Sequence, residues 1–156
     1  MKFRLIWIRS TSDTEFRDAI ERYVGRIRHY FPLEIIEVAP DKGRKSKSGP
    51  DVIRAESNRL LEAIPAQGFT VVLDERGELI DSLKFARWLE RMTVDQPHGV
   101  NFIVGGDLGL SQQVRERGDR VIALSPMTFP HQLARVVLLE QIYRACTLIR
   151  NVSYHK

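Results

Sequence analysis

Five short apolar segments alternate along the chain with longer segments of helical periodicity, and this alternation restricts the fold more than any other feature. The apolar segments consist largely of aliphatic and aromatic residues, which is typical of strands buried on both faces of a parallel sheet. They are FRLIWI (3–8), LEIIEVA (33–39), FTVVLD (69–74), VNFIV (100–104) and DRVIAL (119–124). The segments between them carry apolar residues three or four positions apart, which predicts helices on both faces of the sheet. We therefore expect an α/β fold with a mostly parallel sheet of five or six strands.

Local signals predict where several helices begin and which residues they bury. Ser12 and Glu15 have the spacing of a capping box, so the first helix should begin there. Asp51 is the expected cap of a helix over 51–64. A further helix over 81–92 should bury Leu83, Ala86, Trp88 and Leu89.

Length, charge and cysteine content predict a single cytoplasmic domain over residues 1–156. No apolar run approaches the roughly 20 residues that a membrane span requires, and the first residues, MKFRLIWIRSTSD, lack the cleavage site of a signal peptide. One cysteine, Cys146, excludes an internal disulfide. His29, His98 and His131 have no metal-ligand spacing, so we expect no metal. The net charge of +4 favours a polyanionic partner without requiring one.

Ligands of open parallel sheets bind beyond the carboxyl ends of the strands, and three such ends stand out here. They are Leu73-Asp74, Gly105-Gly106 and the loop from Ser125 to Phe129. Each follows a predicted buried strand, so we expect all three to lie along one edge of the sheet. The first of them leads into ERGE (75–78), which predicts a turn.

The segment NFIVGGDLGLS (101–111) contains three closely spaced glycines directly after the fourth predicted strand. Their spacing matches neither the Rossmann fingerprint nor the P-loop, and the segment has no Lys or Arg, which argues against a bound phosphate. Two interpretations stay open. In the first interpretation, which the glycines taken alone favour, they form a tight turn into a short helix capped by Ser111. In the second, they let a ligand approach the bare backbone.

The last predicted helix, residues 132–149, follows Pro130 and is apolar over more than one stripe. Packing of this helix against a second copy of the chain would bury the excess, which predicts a homodimer. A core helix that its own chain covers on two sides is an equal alternative. In either arrangement we expect Cys146 to be a small core residue.

Three parts of the sequence resemble the RlmH family, whose members are SPOUT-class methyltransferases. They are IVGG with the following G and L (103–110), LSPMTFPHQLARVVLLEQIYRA (124–145) and the terminal YHK. The last two are highly specific in combination, and the resemblance extends over the whole chain. Asp107 departs from the family, which often has Pro or Ser at that position. We expect it to change the detail of the loop and not the function.

The resemblance implies a fold and an activity that periodicity could not indicate. The fold would contain a trefoil knot in the C-terminal part of the sheet and would form a homodimer through the last helix. The enzyme would use S-adenosylmethionine to methylate N3 of a pseudouridine in 23S ribosomal RNA. Because the domain is small, we expect the assembled ribosome, and not isolated RNA, to be the substrate.

The resemblance also implies that the cofactor is held at the three strand ends, by Leu73, Gly105, Leu124, Ser125, Pro126, Met127, Thr128 and Phe129. We expect His155, with Tyr154 positioning the base, to accept the proton that leaves N3, although the tail could equally serve only to shape the RNA pocket. The basic loop PDKGRKSKSGP (40–50) is a candidate RNA contact, with a merely solvated surface as its alternative. The residues expected to contact RNA phosphates are Arg135, Arg144, Lys42, Arg44, Lys45 and Lys47.

Two other functions compete with this interpretation. A knotted RNA-binding protein would use the basic surface and transfer nothing, whereas another SPOUT enzyme would act on transfer RNA. The intact cofactor loops at 103–110 and 124–129 favour the enzyme, and the match of the last helix and the tail favours ribosomal RNA.

Overall fold

The computed structural model describes residues 1–9, 16–43 and 46–154. Within these ranges, strands and helices alternate in the order that the sequence predicts. They are β1 (Phe3–Ile8), α1 (Arg17–Arg28), β2 (Leu33–Val38), α2 (Gly49–Ala63), β3 (Phe69–Leu79), α3 (Ser82–Asp95), β4 (Val100–Val104), α4 (Gln112–Arg117), β5 (Arg120–Ala123) and α5 (His131–Ile149). None of these helices has the length and apolar character needed to cross a membrane.

The five strands form one parallel sheet in the order β2-β1-β4-β3-β5, which confirms the predicted α/β class. β4 lies between β1 and β3, with Val104 opposite Trp7 on one side and Leu73 on the other. The carboxyl ends of these strands therefore meet at one edge of the sheet, as expected. Parallel neighbours need crossover connections, and the helices provide them.

Each face of the sheet carries its own apolar core, because successive residues of a strand point to opposite faces. In β1, Phe3, Leu5 and Trp7 belong to the core beneath α1, α3 and α5. Ile6 and Ile8 belong to a second core beneath α2 and α4. The expectation of helices on both faces is confirmed, and it explains why the strands lack a polar side.

β3 is longer than the sequence predicts. It continues to Leu79, so ERGE (75–78) lies within the strand and the turn expected there is wrong. The register between β3 and β5 shifts along this segment. A Cβ on Gly77 would come within 2.5 Å of the Ile122 carbonyl carbon, so the close approach of the two strands requires a glycine.

The helix starts agree with their predicted caps only in part. α2 is capped by Ser48, whose Oγ accepts a hydrogen bond of 3.4 Å from the backbone N–H of Asp51. Asp51 is therefore not the cap: it lies in the first turn, where its carboxylate accepts a hydrogen bond of 2.6 Å from the Ser48 hydroxyl. Ser111 caps α4 as expected. Ser12 and Glu15 lie outside the described residues.

α3 buries Ala86, Trp88 and Leu89 as expected, and it buries Phe85 as well. The expectation for Leu83 is wrong, because this side chain is 46% exposed. The helix starts after its cap Asp81, so Leu83 lies in the first turn, on the side that faces away from the core.

α5 packs against α1 and α3 on the same face of the sheet. Its inner residues are fully buried, and they include Cys146, which is confirmed as a core residue. The helix is covered on two sides by its own chain and still has apolar surface left. Its partly exposed apolar residues are Leu133, Val136, Val137, Tyr143, Leu148 and Ile149.

Candidate functional site

A cavity of about 1030 Å³ opens at the carboxyl edge of the sheet. Its wall comes mainly from the three strand ends that the sequence singles out, with residues from 73–76, 104–110 and 124–134. Pro126 is an exposed member of the last segment. The other residues predicted to bind the cofactor all line the cavity: Leu73, Gly105, Leu124, Ser125, Met127, Thr128 and Phe129.

The glycine loop, residues 105–110, is a compact turn held by its own backbone. The N–H of Gly109 donates to the Gly106 carbonyl at 3.0 Å, and Gly109 has a φ of 85°, in the left-handed region. A Cβ on Gly105 would come within 2.9 Å of Leu110 Cγ. The glycines thus have a structural role in the turn. A ligand role stays compatible with it, since residues 105–110 also line the cavity.

Buried polar residues of α2 support the glycine loop from behind. Ser57 Oγ accepts a hydrogen bond of 3.0 Å from the N–H of Ser111, at the end of the loop. Glu56 Oε2 lies so close to Gly106 that a Cβ there would come within 2.9 Å of it. A buried polar group that loses its hydrogen-bond partner costs free energy, so these contacts should hold the loop in place. Sequence reasoning missed both residues, since α2 shows only an ordinary amphipathic pattern.

Arg115 of α4 joins two of the strand ends. Its Nη1 donates to Asp74 Oδ2 at 3.2 Å and to the Leu110 carbonyl at 2.7 Å. The positive charge of this guanidinium is therefore balanced within the cavity wall. The wall carries charges of both signs, unlike a phosphate site, where cationic groups prevail. The other charged lining residues are Arg76, Glu75, Asp107 and, when protonated, His131.

The loop after β5 presents large apolar side chains at the cavity. Met127 is 75% exposed and Phe129 is 36% exposed. Ser125 Oγ accepts a hydrogen bond of 2.9 Å from the N–H of Met127, which holds the start of this loop in a turn. Exposed apolar side chains around a cavity are typical of a site that an organic ligand covers.

His131, the first residue of α5, contacts Asp107 of the glycine loop. The imidazole Nδ1 and the carboxylate Oδ1 form an ion pair when the imidazole is protonated. The contact connects two separate segments of the cavity wall. Sequence reasoning missed it, because nothing in the local pattern relates two residues on different elements. In the part of the chain that the structure describes, no three His, Cys, Asp or Glu side chains are grouped to hold a metal ion.

The described part of the C-terminal tail, which ends at Tyr154, lies against α5, and Tyr154 does not line the cavity. The Tyr154 ring packs edge-on against Tyr143, and its hydroxyl donates to Glu140 Oε1 at 3.4 Å. Burial, followed by a hydrogen bond with Tyr23, raises the pKa of Tyr154. His155, the predicted proton acceptor, lies outside the described residues.

The two arginines of α5 that were expected to contact RNA are both engaged within the chain. Arg135 is only 4% exposed, with Nη2 donating to the Ile8 carbonyl at 2.6 Å and the guanidinium over the Trp7 ring. This placement leaves Arg135 inside the fold, where it links α5 to the sheet. Arg144 donates to Glu140 Oε1 through Nε at 3.0 Å and Nη2 at 2.6 Å, and this pairing raises its pKa.

The basic loop is described only in part. Lys42 is exposed, and Lys47 is exposed but forms an ion pair with Asp41 at 3.0 Å. Arg44 and Lys45 lie outside the described residues. The described part of the loop therefore offers RNA the exposed cation of Lys42 and the partly neutralised cation of Lys47.

Comparison of the sequence with known families shows the family to which the chain belongs. A family model described as "Predicted SPOUT methyltransferase" matches residues 1–155, so the chain belongs to the SPOUT methyltransferase family. It is similar to the ribosomal RNA large subunit methyltransferase H of Geobacter sulfurreducens, with 44% identity over 156 residues. The protein of the same name from Trichlorobacter lovleyi is 42% identical over 155 residues. Each match covers 99% of this chain and 99% of the relative.

A solved structure shares the fold at much lower identity. The probable methyltransferase from Bordetella pertussis Tohama I superposes with a TM-score of 0.58 and 15% sequence identity. The match covers 93% of this chain and 94% of that one. At this identity the likeness concerns the fold alone.

Proposed function

We propose that this protein uses S-adenosylmethionine to methylate N3 of a pseudouridine in 23S ribosomal RNA, in the cytoplasm. The cavity carries the proposal, since the strand ends that build it belong to a chain of a methyltransferase family. Relatives with 42% and 44% identity over nearly the whole chain are ribosomal RNA large subunit methyltransferases. The choice of pseudouridine as the target nucleotide and of N3 as the methylated atom rests on the resemblance to the RlmH family.

The lining of the cavity suits the proposed cofactor. Leu73, Gly105 and the loop 124–129 would hold it through backbone groups and apolar side chains, since the ligand has no phosphate to neutralise. A wall with charges of both signs suits a molecule that has a carboxylate together with ammonium and sulfonium groups. The pairing of Arg115 with Asp74 balances one positive charge in the cavity wall, which would suit a cofactor that carries a sulfonium.

When bound, S-adenosylmethionine supplies a methyl group that its sulfonium has already activated. The task of the protein is then to hold the acceptor nitrogen in line and to keep water away. Met127 and Phe129, which are exposed at the cavity, would cover the reacting groups. The N3 proton must also leave, and His155 would accept it while Tyr154 positions the base.

The position of Tyr154 supports a homodimer in which each tail completes the other cavity. Its hydroxyl is bonded to Glu140, which follows the cavity residue His131 on the same helix. Ala134 of the same helix also lines the cavity, so Glu140 is six residues, or roughly 9 Å along the helix axis, beyond the nearest cavity residue of α5. A tail that acts in catalysis therefore leaves this position or serves a second copy. Partly exposed apolar residues of α5, such as Val136 and Val137, offer surface for that copy.

The charge of the chain supports the assembled particle as substrate. A net charge of +4 gives only a modest attraction for RNA. The cations of the basic loop would add contacts to RNA phosphates, which do not depend on the RNA sequence. They are Lys42, Arg44, Lys45 and Lys47. We therefore propose that the folded surface of the large subunit supplies the remaining recognition.

Two measurements on the purified protein test the proposal. Calorimetric titration with S-adenosylmethionine should show binding, whereas a protein that only binds RNA should produce no heat. Labelled cofactor should then transfer its methyl group to 23S RNA in large subunits from a strain without the gene. Protein-free 23S RNA should be a poor acceptor. Transfer to transfer RNA instead would establish the alternative SPOUT activity and contradict this proposal.

A further inference from the structure

Asp107 and His131 come from separate segments of the cavity wall and meet in one contact. Asp107 lies at the tip of the glycine loop, and His131 is the first residue of α5. Both line the cavity, so their contact fixes the separation of two of its walls. Neither residue is among those that the sequence predicts to bind the cofactor, although Asp107 lies within the predicted cofactor loop, 103–110.

The glycine loop is held firmly at its base and less firmly at its tip. At the base, Gly106 packs closely against the buried Glu56 of α2. At the tip, the side chains of Asp107 and Leu108 are about half exposed, at 48% and 46%. A segment with little packing opens at a low free-energy cost. The contact with His131 is therefore well placed to limit the motion of the tip.

His131 is a suitable anchor, because it belongs to a well-packed helix. α5 has 19 residues, and its inner side is buried against the sheet and the neighbouring helices. The His131 side chain is itself only 15% exposed. The contact with His131 thus ties the loop tip to a well-packed helix.

We propose that the Asp107–His131 pair positions the glycine loop against α5 and thereby sets the affinity of the cavity for its methyl donor. The pair is a positioning pair, which acts through the loop backbone and not on the reacting atoms. This inference rests on the proposed function of the cavity.

Cofactor binding gives the first test. In calorimetric titrations with S-adenosylmethionine, Asp107→Ala and His131→Ala should each raise Kd about three- to tenfold. Because both substitutions break the same contact, the double variant should raise Kd no more than the stronger of the two single variants does. Asp107→Asn should recover part of the affinity, because its amide oxygen still accepts a hydrogen bond from imidazole. Asp95→Ala, at an exposed position on α3, is the matched control and should leave Kd unchanged.

Hydrogen exchange of the cofactor-free protein gives a second, independent test. Asp107→Ala should speed exchange of the amides at 106–110, while the melting temperature changes little. If wild-type protein binds no S-adenosylmethionine, the proposed function fails, but exchange still decides whether the pair orders the loop. Unchanged exchange in Asp107→Ala, unchanged Kd, or additive effects in the double variant would overturn the proposal. Should Asp107→Ala fail to fold, Asp107→Asn and Asp107→Ser replace it, with effects of the same sign expected.

Discussion

The Tyr154 ring packs edge-on against Tyr143 with ring centroids 4.8 Å apart, and the Arg144 guanidinium lies 5.2 Å from the centre of the Tyr154 ring. These contacts hold Tyr154, the last described residue, against the side of α5 and away from the cavity. A role of the tail in catalysis is therefore easiest to explain if the tail acts on a second copy of the chain.

Mixed dimers test this arrangement. We expect His155→Ala and Gly105→Val each to inactivate the enzyme, the first by removing the proposed proton acceptor and the second by placing a side chain against Leu110. Co-expressed with different tags, the two variants should recover about a quarter of wild-type methylation, because random pairing makes half of the dimers mixed, with one complete site each. A mixture as inactive as its parts would show that each tail serves its own cavity.

A pair of glycine substitutions tests the close approach of β3 and β5. Gly77→Ala should destabilise the protein by about 2–4 kcal/mol, because the added Cβ meets the Ile122 backbone, which cannot rotate away. Gly25→Ala in α1 is the matched control: nothing lies within 4 Å of its Cβ, so helix propensity should stabilise the protein by about 0.5–1 kcal/mol. Urea unfolding measures both. Equal stability of the two variants would contradict the strand pairing described here.

The extent to which the sequence predicts the fold differs between elements for physical reasons. β1 and β4 have the predicted bounds, because each is a dense apolar run whose ends are set locally. The end of β3 could not be predicted, since pairing with β5 keeps a glycine-containing polar segment extended. The trefoil knot expected from the resemblance stays a prediction.

The candidate site was predictable where it depends on strand ends and unpredictable where it depends on long-range contacts. Strand ends of a parallel sheet meet at one edge, so Leu73 and Gly105 could be brought together from the sequence alone. The burial of Arg135 could not be predicted, because a charged side chain is expected at the surface and its partner Ile8 is 127 residues away in the sequence. The contact between Asp107 and His131 depends in the same way on the path of the chain through α4 and β5.

Asp41 should give the protein part of its acid sensitivity. A hydrogen bond from Lys47 holds the pKa of Asp41 below its ordinary value of 3.8. A carboxyl whose pKa is lowered in the folded state stabilises the protein above the unfolded-state pKa, and this stabilisation is lost as the pH falls through the folded-state pKa. Asp41→Asn should therefore lower Tm at neutral pH, with a difference that shrinks under acidic conditions. Thermal melts across pH measure this, and a difference independent of pH would refute the assignment.

Cys146 should be unreactive in the folded protein. Burial raises the pKa of its thiol to about 12, and the thiolate is the form that reacts. We expect an alkylating reagent at pH 8 to leave native Cys146 unmodified and to modify it fully in denaturant. Mass spectrometry of the intact protein reads out both states. Rapid alkylation of the native protein would show that α5 is not packed as described.

Mass spectrometry of 23S RNA nucleosides from cells with and without the gene tests the central claim most directly. We expect one N3-methylated pseudouridine to disappear when the gene is deleted and to return with the wild-type gene, but not with Gly105→Val. An unchanged 23S RNA modification profile, or a methyl group lost from transfer RNA instead, would contradict the account.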